Sequence, residues 1–208
     1  MCPRVSEEYK REKKHEILTA ARRVFIRKGY TRTVMQDIMD ETGMSRGAVY
    51  AYFDNVEHVF IEVLRFDDQE TLRFFEPDPQ YPIWNQLMDW VQKQQGDISL
   101  IQHSLVLARA EFFLSSSYVQ AKKDYPYLTE RYQLTVEAMG RVIRKGREQG
   151  EFRPRLEPEA IARYMISFLN GLMLDTFQLG PTVTCVPEQL ETFIQSLCAM
   201  LNPITIES

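Results

Sequence analysis

The apolar residues of this chain recur at helical spacing along almost its whole length, and this pattern limits the fold more than any other feature. No stretch shows convincing strand-like alternation, and no Asn-Gly turn joins two such stretches. Breaks rich in glycine and proline divide the chain into about nine segments. The sequence therefore predicts an all-α protein of about nine helices.

The N-terminal part of the chain predicts a bundle of three helices. A first helix spans about residues 7–28 and ends at Gly29, a position where a left-handed residue is favoured. A second helix begins at Thr33, which has the capping-box spacing to Gln36. A third begins at the N-cap residue Ser45 and continues to Phe53. The residues predicted to form their shared core are Ile17, Phe25, Ile38, Met44, Val49 and Phe53.

The turn between the second and third helices predicts how they pack. Thr42 to Ser45 form a connection too tight for antiparallel packing, which suits the steep crossing of a helix-turn-helix. A helix that enters the DNA major groove needs small residues and hydrogen-bond donors near its N-terminus. Arg46 can pair with a guanine, while Gly47 and Ala48 allow the backbone to approach the bases.

Two tyrosines and the charge distribution add to this interpretation. Tyr50 and Tyr52 can donate their hydroxyls to phosphates, although they could also be ordinary half-buried aromatics of a small helical domain. Residues 1–53 contain 11 Lys and Arg against 7 Asp and Glu, whereas the remainder contains 14 against 22. A basic N-terminal part beside an acidic remainder indicates that the former meets a polyanion. Together with the turn, these features favour DNA binding.

An ordered set of residues in this region matches a known pattern: Gly29, Tyr30, Thr33, Asp37, Ile38, Gly43, Met44, Ser45, Gly47, Val49, Tyr50, Tyr52, Phe53 and Glu57. It resembles the DNA-binding domain of the tetracycline-repressor (TetR) family. The resemblance implies a homodimeric repressor that binds a palindromic operator and responds to a small molecule. The candidate DNA contacts are Thr33, Ser45, Arg46, Gly47, Ala48, Tyr50 and Tyr52.

Two positions depart from the family pattern. Val34 replaces a threonine that is usual there, and Val56 replaces a lysine that commonly touches the DNA backbone in the family. A valine cannot pair with phosphate, so one anchoring contact in each subunit is expected to be missing. These departures keep open an alternative function, a helical small-molecule-binding or scaffold protein whose DNA-binding domain is degenerate. Retention on a heparin or random-DNA column at low salt would discriminate the two.

The larger C-terminal region predicts a dimerisation surface. The helix from Pro158 to Leu179 has apolar residues on more than one face, and a last helix at about 187–201 repeats this pattern. Two such helices from each of two subunits would form a four-helix interface, as the resemblance also implies. Leu172 and Leu197 are predicted to lie in it. The alternative is that both helices belong to the core of a monomer.

The segments between these two regions are expected to form the effector site. The sequence predicts a domain boundary between residues 1–54 and 55–208, with a fourth helix that opens at Asp54 and forms a capping box with Glu57. The resemblance makes residues 56–149 the ligand cage for an apolar or aromatic molecule. His103 could instead be a satisfied helix histidine and Arg109 part of an interhelical salt bridge. The candidate ligand contacts are Phe66, Trp84, Met88, His103, Arg109, Phe112, Tyr132 and Met139.

Enzymatic function is not indicated by any motif in the sequence. There is no glycine-rich phosphate loop, no Gly-x-Ser-x-Gly and no Cys/His metal spacing, so neither catalysis nor a cofactor is expected. The odd number of cysteines, 3, favours reduced thiols. With no apolar signal segment and no membrane-length apolar run, we expect the protein in the cytoplasm.

Overall fold

The computed structural model describes residues 6–76, 78, 80–121, 123 and 125–204. Within these residues the fold is all-α, with ten α-helices, a 3₁₀ helix at Ile101–His103 and no β-strand. The prediction of an all-helical protein is therefore confirmed. The helices are α1 (Glu7–Lys28), α2 (Met35–Thr42), α3 (Arg46–Tyr50), α4 (Val56–Phe74), α5 (Ile83–Ser99), α6 (Val106–Phe113), α7 (Ser116–Ala121), α8 (Pro126–Glu148), α9 (Pro158–Leu179) and α10 (Val186–Leu201).

Two helices begin later than the sequence predicts. Helix α2 starts after Val34 rather than at Thr33, because the Asp37 carboxylate, and not Gln36, accepts from the Val34 N–H at 3.0 Å. Helix α4 starts after Asn55, whose side-chain oxygen accepts from the His58 N–H at 2.8 Å. The predicted capping box of Asp54 and Glu57 is therefore wrong, since Asn55 is the capping residue.

The predicted end of α1 and the predicted start of α3 are confirmed. Gly29 follows α1 with φ 77°, a value that favours glycine. Ser45 caps α3 by accepting from the Ala48 N–H. Helix α3 itself ends at Tyr50, earlier than the predicted Phe53, because the chain turns at once into the start of α4.

The chain divides into two compact units, which we call the first unit and the second unit. The first consists of Met1–Gln69 and His103–Ala121, and the second of Glu70–Gln102 and Lys122–Ser208. Helix α4 starts in the first unit, and its last residues belong to the second. Helix α6, distant in sequence from the helix-turn-helix, is part of the same unit as that motif.

The core of the first unit contains five of the six side chains that the sequence predicts. Ile17, Phe25, Ile38, Val49 and Phe53 are fully buried. Met44 is only half-buried, because it lies in the turn itself, where its N–H donates to the Thr42 hydroxyl at 3.2 Å.

The second unit has a larger apolar core made by α5, α8, α9 and α10. Leu172 on α9 is 6% exposed and Leu197 on α10 is 0% exposed, so both serve this core and are not free to meet another subunit. Helix α9 leaves a different face open, on which Tyr164, Gly171 and Leu174 are exposed. The face of α9 that contains these three residues is therefore not covered within one chain.

Candidate DNA-binding surface and effector region

Helix α3 presents an exposed surface that packing inside the protein does not require. The Arg46 side chain is exposed, and its guanidinium lies 5.2 Å from the centre of the Tyr50 ring. A Cβ added to Gly47 would meet no described atom within 4 Å, so the protein itself does not demand glycine there. A small residue on an open helix face allows another molecule to approach the backbone, as a major-groove helix must.

The other candidate DNA contacts divide into surface residues and one buried residue. Ser45 and Tyr50 are exposed, while Ala48 and Tyr52 are half-buried. Thr33 is buried, and its hydroxyl donates to the Gly29 carbonyl at 2.5 Å. The Thr33 side chain therefore closes the loop before α2 and is engaged within the protein.

Most of the cations of this region pair with carboxylates of the protein. Ten Lys and Arg lie among the described residues up to Phe53, and seven of them pair with carboxylates. Arg11, Arg32 and Arg46 are the three that do not; of these, Arg32 donates to the Lys28 carbonyl at 3.1 Å. The paired cations are Lys10, Lys13, Lys14, Arg22, Arg23, Arg27 and Lys28.

Three of these pairs fix α2 against α1 and lower the pKa values of two carboxyls. Hydrogen bonds from Arg23 and then Arg27 hold the pKa of Glu41 below its ordinary value. The Lys28 ammonium, followed by the Val34 N–H, lowers the pKa of Asp37 in the same way. Both carboxylates are therefore charged at neutral pH and hold the first two helices together.

Helix α6 is joined to the helix-turn-helix through three kinds of contact inside the first unit. Glu111 accepts from the Thr31 N–H at 2.9 Å and lies so close to Gly29 that a Cβ there would meet its carboxylate oxygen at 2.6 Å. Arg109 donates to Asp67 at 2.8 Å, and Asp67 also accepts from Arg22 of α1. The ring contacts complete the junction: Phe112 packs on Tyr30 at 4.9 Å and on Phe60 at 5.2 Å.

The candidate ligand contacts in the first unit thus have structural partners. Arg109 forms an interhelical salt bridge with Asp67, the alternative to ligand contact, and Phe112 is buried in an aromatic cluster. His103 is exposed at the end of the 3₁₀ helix. Phe66 is half-buried, with its ring 5.1 Å from that of His15.

The candidate ligand contacts in the second unit range from buried to exposed. Trp84 and Met88 are half-buried against the apolar core, and Met139 is inside it. Tyr132 is 42% exposed.

The sequence prediction missed Gln86, which lies between Trp84 and Met88 on α5. Its side-chain NH₂ donates to the Phe74 and Glu76 carbonyls at 2.9 and 3.0 Å, which fixes the orientation of the amide. Its oxygen is buried and has no hydrogen-bond partner in the described structure. The position of Gln86 in the apolar repeat, between the buried Ile83 and Trp90, could have identified it.

Comparison with known proteins identifies the family. Residues 17–63 match the family described as "Bacterial regulatory proteins, tetR family". Residues 86–187 match the "Tetracyclin repressor-like, C-terminal domain". The HTH-type transcriptional regulator YfiR of Bacillus subtilis is 30% identical over 174 residues, covering 83% of this chain and 84% of YfiR. The chain belongs to the TetR family.

Solved structures of TetR-family size share this fold. GusR of Salmonella enterica superposes with a TM-score of 0.71 at 19% identity, covering 95% of this chain and 98% of GusR. SmeT, the repressor of the Stenotrophomonas maltophilia multidrug efflux pump SmeDEF, was solved as a complex with triclosan. That complex gives a TM-score of 0.73 at 19% identity, with 95% of this chain and 98% of SmeT covered.

The protein is therefore a helix-turn-helix transcriptional regulator with a C-terminal domain of the ligand-binding type. TetR-family proteins bind DNA operators and small-molecule effectors as dimers. Among the described residues, no helix has the length and apolarity to span a bilayer. Of the two departures from the family pattern, Val34 is 54% exposed and Val56 is half-buried. The start of α2 is nevertheless intact, since Asp37 satisfies the Val34 N–H.

Proposed function

We propose that this protein is a cytoplasmic repressor that binds a palindromic operator as a homodimer and is released by a small apolar or aromatic effector. In this proposal the protein acts by binding DNA and a ligand and is not an enzyme. The exposed surface of α3 supports it most strongly, because Arg46 is free of carboxylates and Gly47 leaves the helix open to approach. In the major groove Arg46 would read a base edge, while Ser45, Tyr50 and Tyr52 would hold the phosphates.

Dimerisation is assigned to α9 and α10 through the faces that the core of one chain leaves open. On α9 this face contains Tyr164, Gly171 and Leu174, the last of which is 36% exposed. A Cβ at Gly171 would meet no described atom within 4 Å, so this glycine has room for a partner helix rather than a packing role within the chain. A self-complementary pair of helices from each subunit then gives a two-fold dimer.

The effector is assigned to the second unit, at the end of α5 that contains Gln86. An acceptor that is buried without a partner costs free energy, and a ligand with a hydroxyl or N–H donor would satisfy it. Trp84 and Met88 flank the same turn of helix and supply adaptable apolar surface. This chemistry favours an aromatic molecule with one hydrogen-bond donor.

Helix α4 connects the two functions. Its first turns are anchored in the first unit by the buried Val59, Phe60 and Val63. Its last carbonyl, that of Phe74, accepts from the Gln86 amide in the second unit. A ligand that engages Gln86 would alter this contact, and a tilt of α4 would change the spacing of the two recognition helices. DNA requires half-sites about 34–36 Å apart or a multiple of this distance.

The DNA half of the proposal is tested by selecting the sequences that the full-length protein retains from a random duplex pool. We expect a palindrome whose half-sites are centred about one helical turn, or a multiple of it, apart. A pool that shows no enrichment after selection would contradict the proposal.

The effector half is tested by calorimetry with triclosan, the molecule in the SmeT complex, and with its O-methyl ether, which lacks the phenolic donor. Triclosan should bind more tightly than the ether by a factor of about 5–20, the value of one hydrogen bond. Operator DNA should weaken triclosan binding by the factor with which triclosan weakens operator binding, about 5–150-fold. Equal triclosan affinity with and without operator would contradict release by this ligand and leave the DNA half standing.

A further inference from the structure

A groove on the first unit lies beside the end of α3 and has no assigned role. It has a volume of about 490 Å³ and is lined by the Tyr52 side chain and by residues of the first turns of α1. The lining residues of α1 are Glu7, Glu8, Lys10, Arg11 and Lys14. Because Tyr52 is two residues beyond the exposed Tyr50, the groove borders the surface proposed to face DNA.

Some of the charged side chains that line this groove are ion-paired within the protein, and others are not. Lys10 pairs with Glu7 at 2.7 Å, and Lys14 pairs with Glu62 at 2.5 Å. The Glu7 carboxylate raises the pKa of Lys10, and the nearby Tyr52 adds a smaller effect in the same direction. The Arg11 side chain forms no hydrogen bond or ion pair within the part of the chain that the structure describes, and neither does the Glu8 side chain. Arg11 is therefore the cation of the groove that is available to another molecule.

A phosphate of the DNA backbone is the ligand that suits this groove, because the groove lies beside the surface proposed to face DNA. Val56, four residues beyond Tyr52, is uncharged, so the start of α4 has no cation at this position to contact a phosphate of the DNA backbone. Arg11 has a planar fork of donors that matches a phosphate, and Tyr52, which lines the same groove, carries a hydroxyl that can donate as well. We propose that Arg11 and Tyr52 together bind one operator phosphate in each subunit. This inference rests on the proposed DNA-binding function.

The proposal predicts an effect that does not depend on base sequence. A phosphate contact contributes equally on any duplex and releases counterions, so its loss weakens specific and random DNA alike. Removal of one cation–phosphate contact from each subunit should reduce the slope of log K against log salt by about 2 for the dimer. Affinity at low salt should fall on the order of tenfold.

The test measures binding of the full-length protein to its selected operator and to a random-sequence duplex over a range of salt. Arg11→Gln should weaken both duplexes and reduce both salt slopes. Arg27→Gln is the matched control, because Arg27 is an exposed arginine of the same helix that is paired with Glu41. Glu8→Gln should act in the opposite direction and strengthen both duplexes, since it removes an unpaired carboxylate from the groove.

The outcomes separate this inference from the function on which it rests. Unchanged affinity and slope for Arg11→Gln, with a wild-type protein that binds its operator, overturns the Arg11 contact alone. Weakening confined to the operator would make Arg11 a base-reading residue and would also overturn a phosphate contact. A wild-type protein that binds no DNA overturns both proposals. Thermal unfolding of Arg11→Gln should match wild type, and that of Arg27→Gln should fall only slightly because Glu41 keeps its pair with Arg23, which excludes loss of the fold as the cause.

Discussion

Both units of this regulator have an apolar core, but more of the ion pairs found among the described residues join helices of the first unit, and this difference decides what each unit reveals about function. The first unit is connected by ion pairs between its helices, such as Lys14 with Glu62 and Arg22 with Asp67. The second is built around a continuous apolar core of α5, α8, α9 and α10. In the first unit, a charge without a partner stands out against the paired ones. In the second, apolar residues pack the core and could equally bind an apolar effector, so function is harder to locate there.

The largest effect that follows from this comparison concerns Gly171 on the open face of α9. Gly171→Glu should leave each chain folded, because the added side chain meets open space, and should prevent close approach of a second subunit. A monomer reaches only one half-site, so operator affinity should fall by at least about 100-fold, one half-site's contacts. Sedimentation equilibrium and operator titration measure the two effects.

Gly96 supplies the matched control for that variant. It is also an exposed glycine within a helix, α5, and a Cβ added there would meet no described atom within 4 Å. Gly96→Glu should remain dimeric and bind the operator as wild type does. Equal behaviour of the two variants would place the interface elsewhere and remove the contrast between the covered and open faces of α9.

The next largest effect tests whether α6 stabilises the helix-turn-helix within the first unit. Glu111→Ala would remove the acceptor of the exposed Thr31 N–H and loosen the loop before α2, at an expected cost of about 0.5–1.5 kcal/mol, the net value of one hydrogen bond. Operator affinity and thermal stability should both fall, and Glu111→Gln should recover part of each. Glu148→Ala, an exposed position at the end of α8, is the control. Unaltered stability of Glu111→Ala would show that α6 does not support the helix-turn-helix.

The smallest effect concerns the surface pairs of α1 and α2. Glu41 has a lowered pKa in the folded protein, so its pairs contribute stability above the unfolded carboxyl pKa of about 4.3, and this contribution is lost as the pH falls through the folded value. Glu41→Gln should therefore lower the free energy of unfolding at pH 7 by less than about 1 kcal/mol, which a slightly lower melting temperature would show. The difference from wild type should vanish in acid. A difference that persisted at low pH would show that the pairs are not its source.

The sequence predicts the existence of the helices well, because the apolar repeat is a local signal summed over many residues. It predicts helix starts less well, since neighbouring polar residues compete to cap the same turn: Asp37 displaced Gln36, and Asn55 displaced Asp54. Glu111 contacts Thr31, 80 positions away in the sequence, and no local sequence pattern around either residue indicates this contact.

The candidate site residues can also be divided into those that local sequence signals predict and those that depend on contacts between distant residues. The position of α3 and its cap, which carry the candidate DNA contacts, could be predicted because the cap at Ser45 and the turn before it are local features. Thr33 is a candidate DNA contact in the sequence, yet its side chain is buried and donates to the Gly29 carbonyl. Positions in the second unit could not be ranked, because burial of Met139 and exposure of Tyr132 depend on packing between distant helices.

Arg46 gives the most direct test of the central claim, that the unpaired cation on α3 reads the operator. The measurement is the affinity of wild type and Arg46→Ala for the selected operator and for a random-sequence duplex under one salt condition. We predict a loss of about 1–3 kcal/mol on the operator, a smaller loss on random DNA, and relaxed preference at one base pair of each half-site. An equal loss on both duplexes, or no loss on either, would contradict the claim.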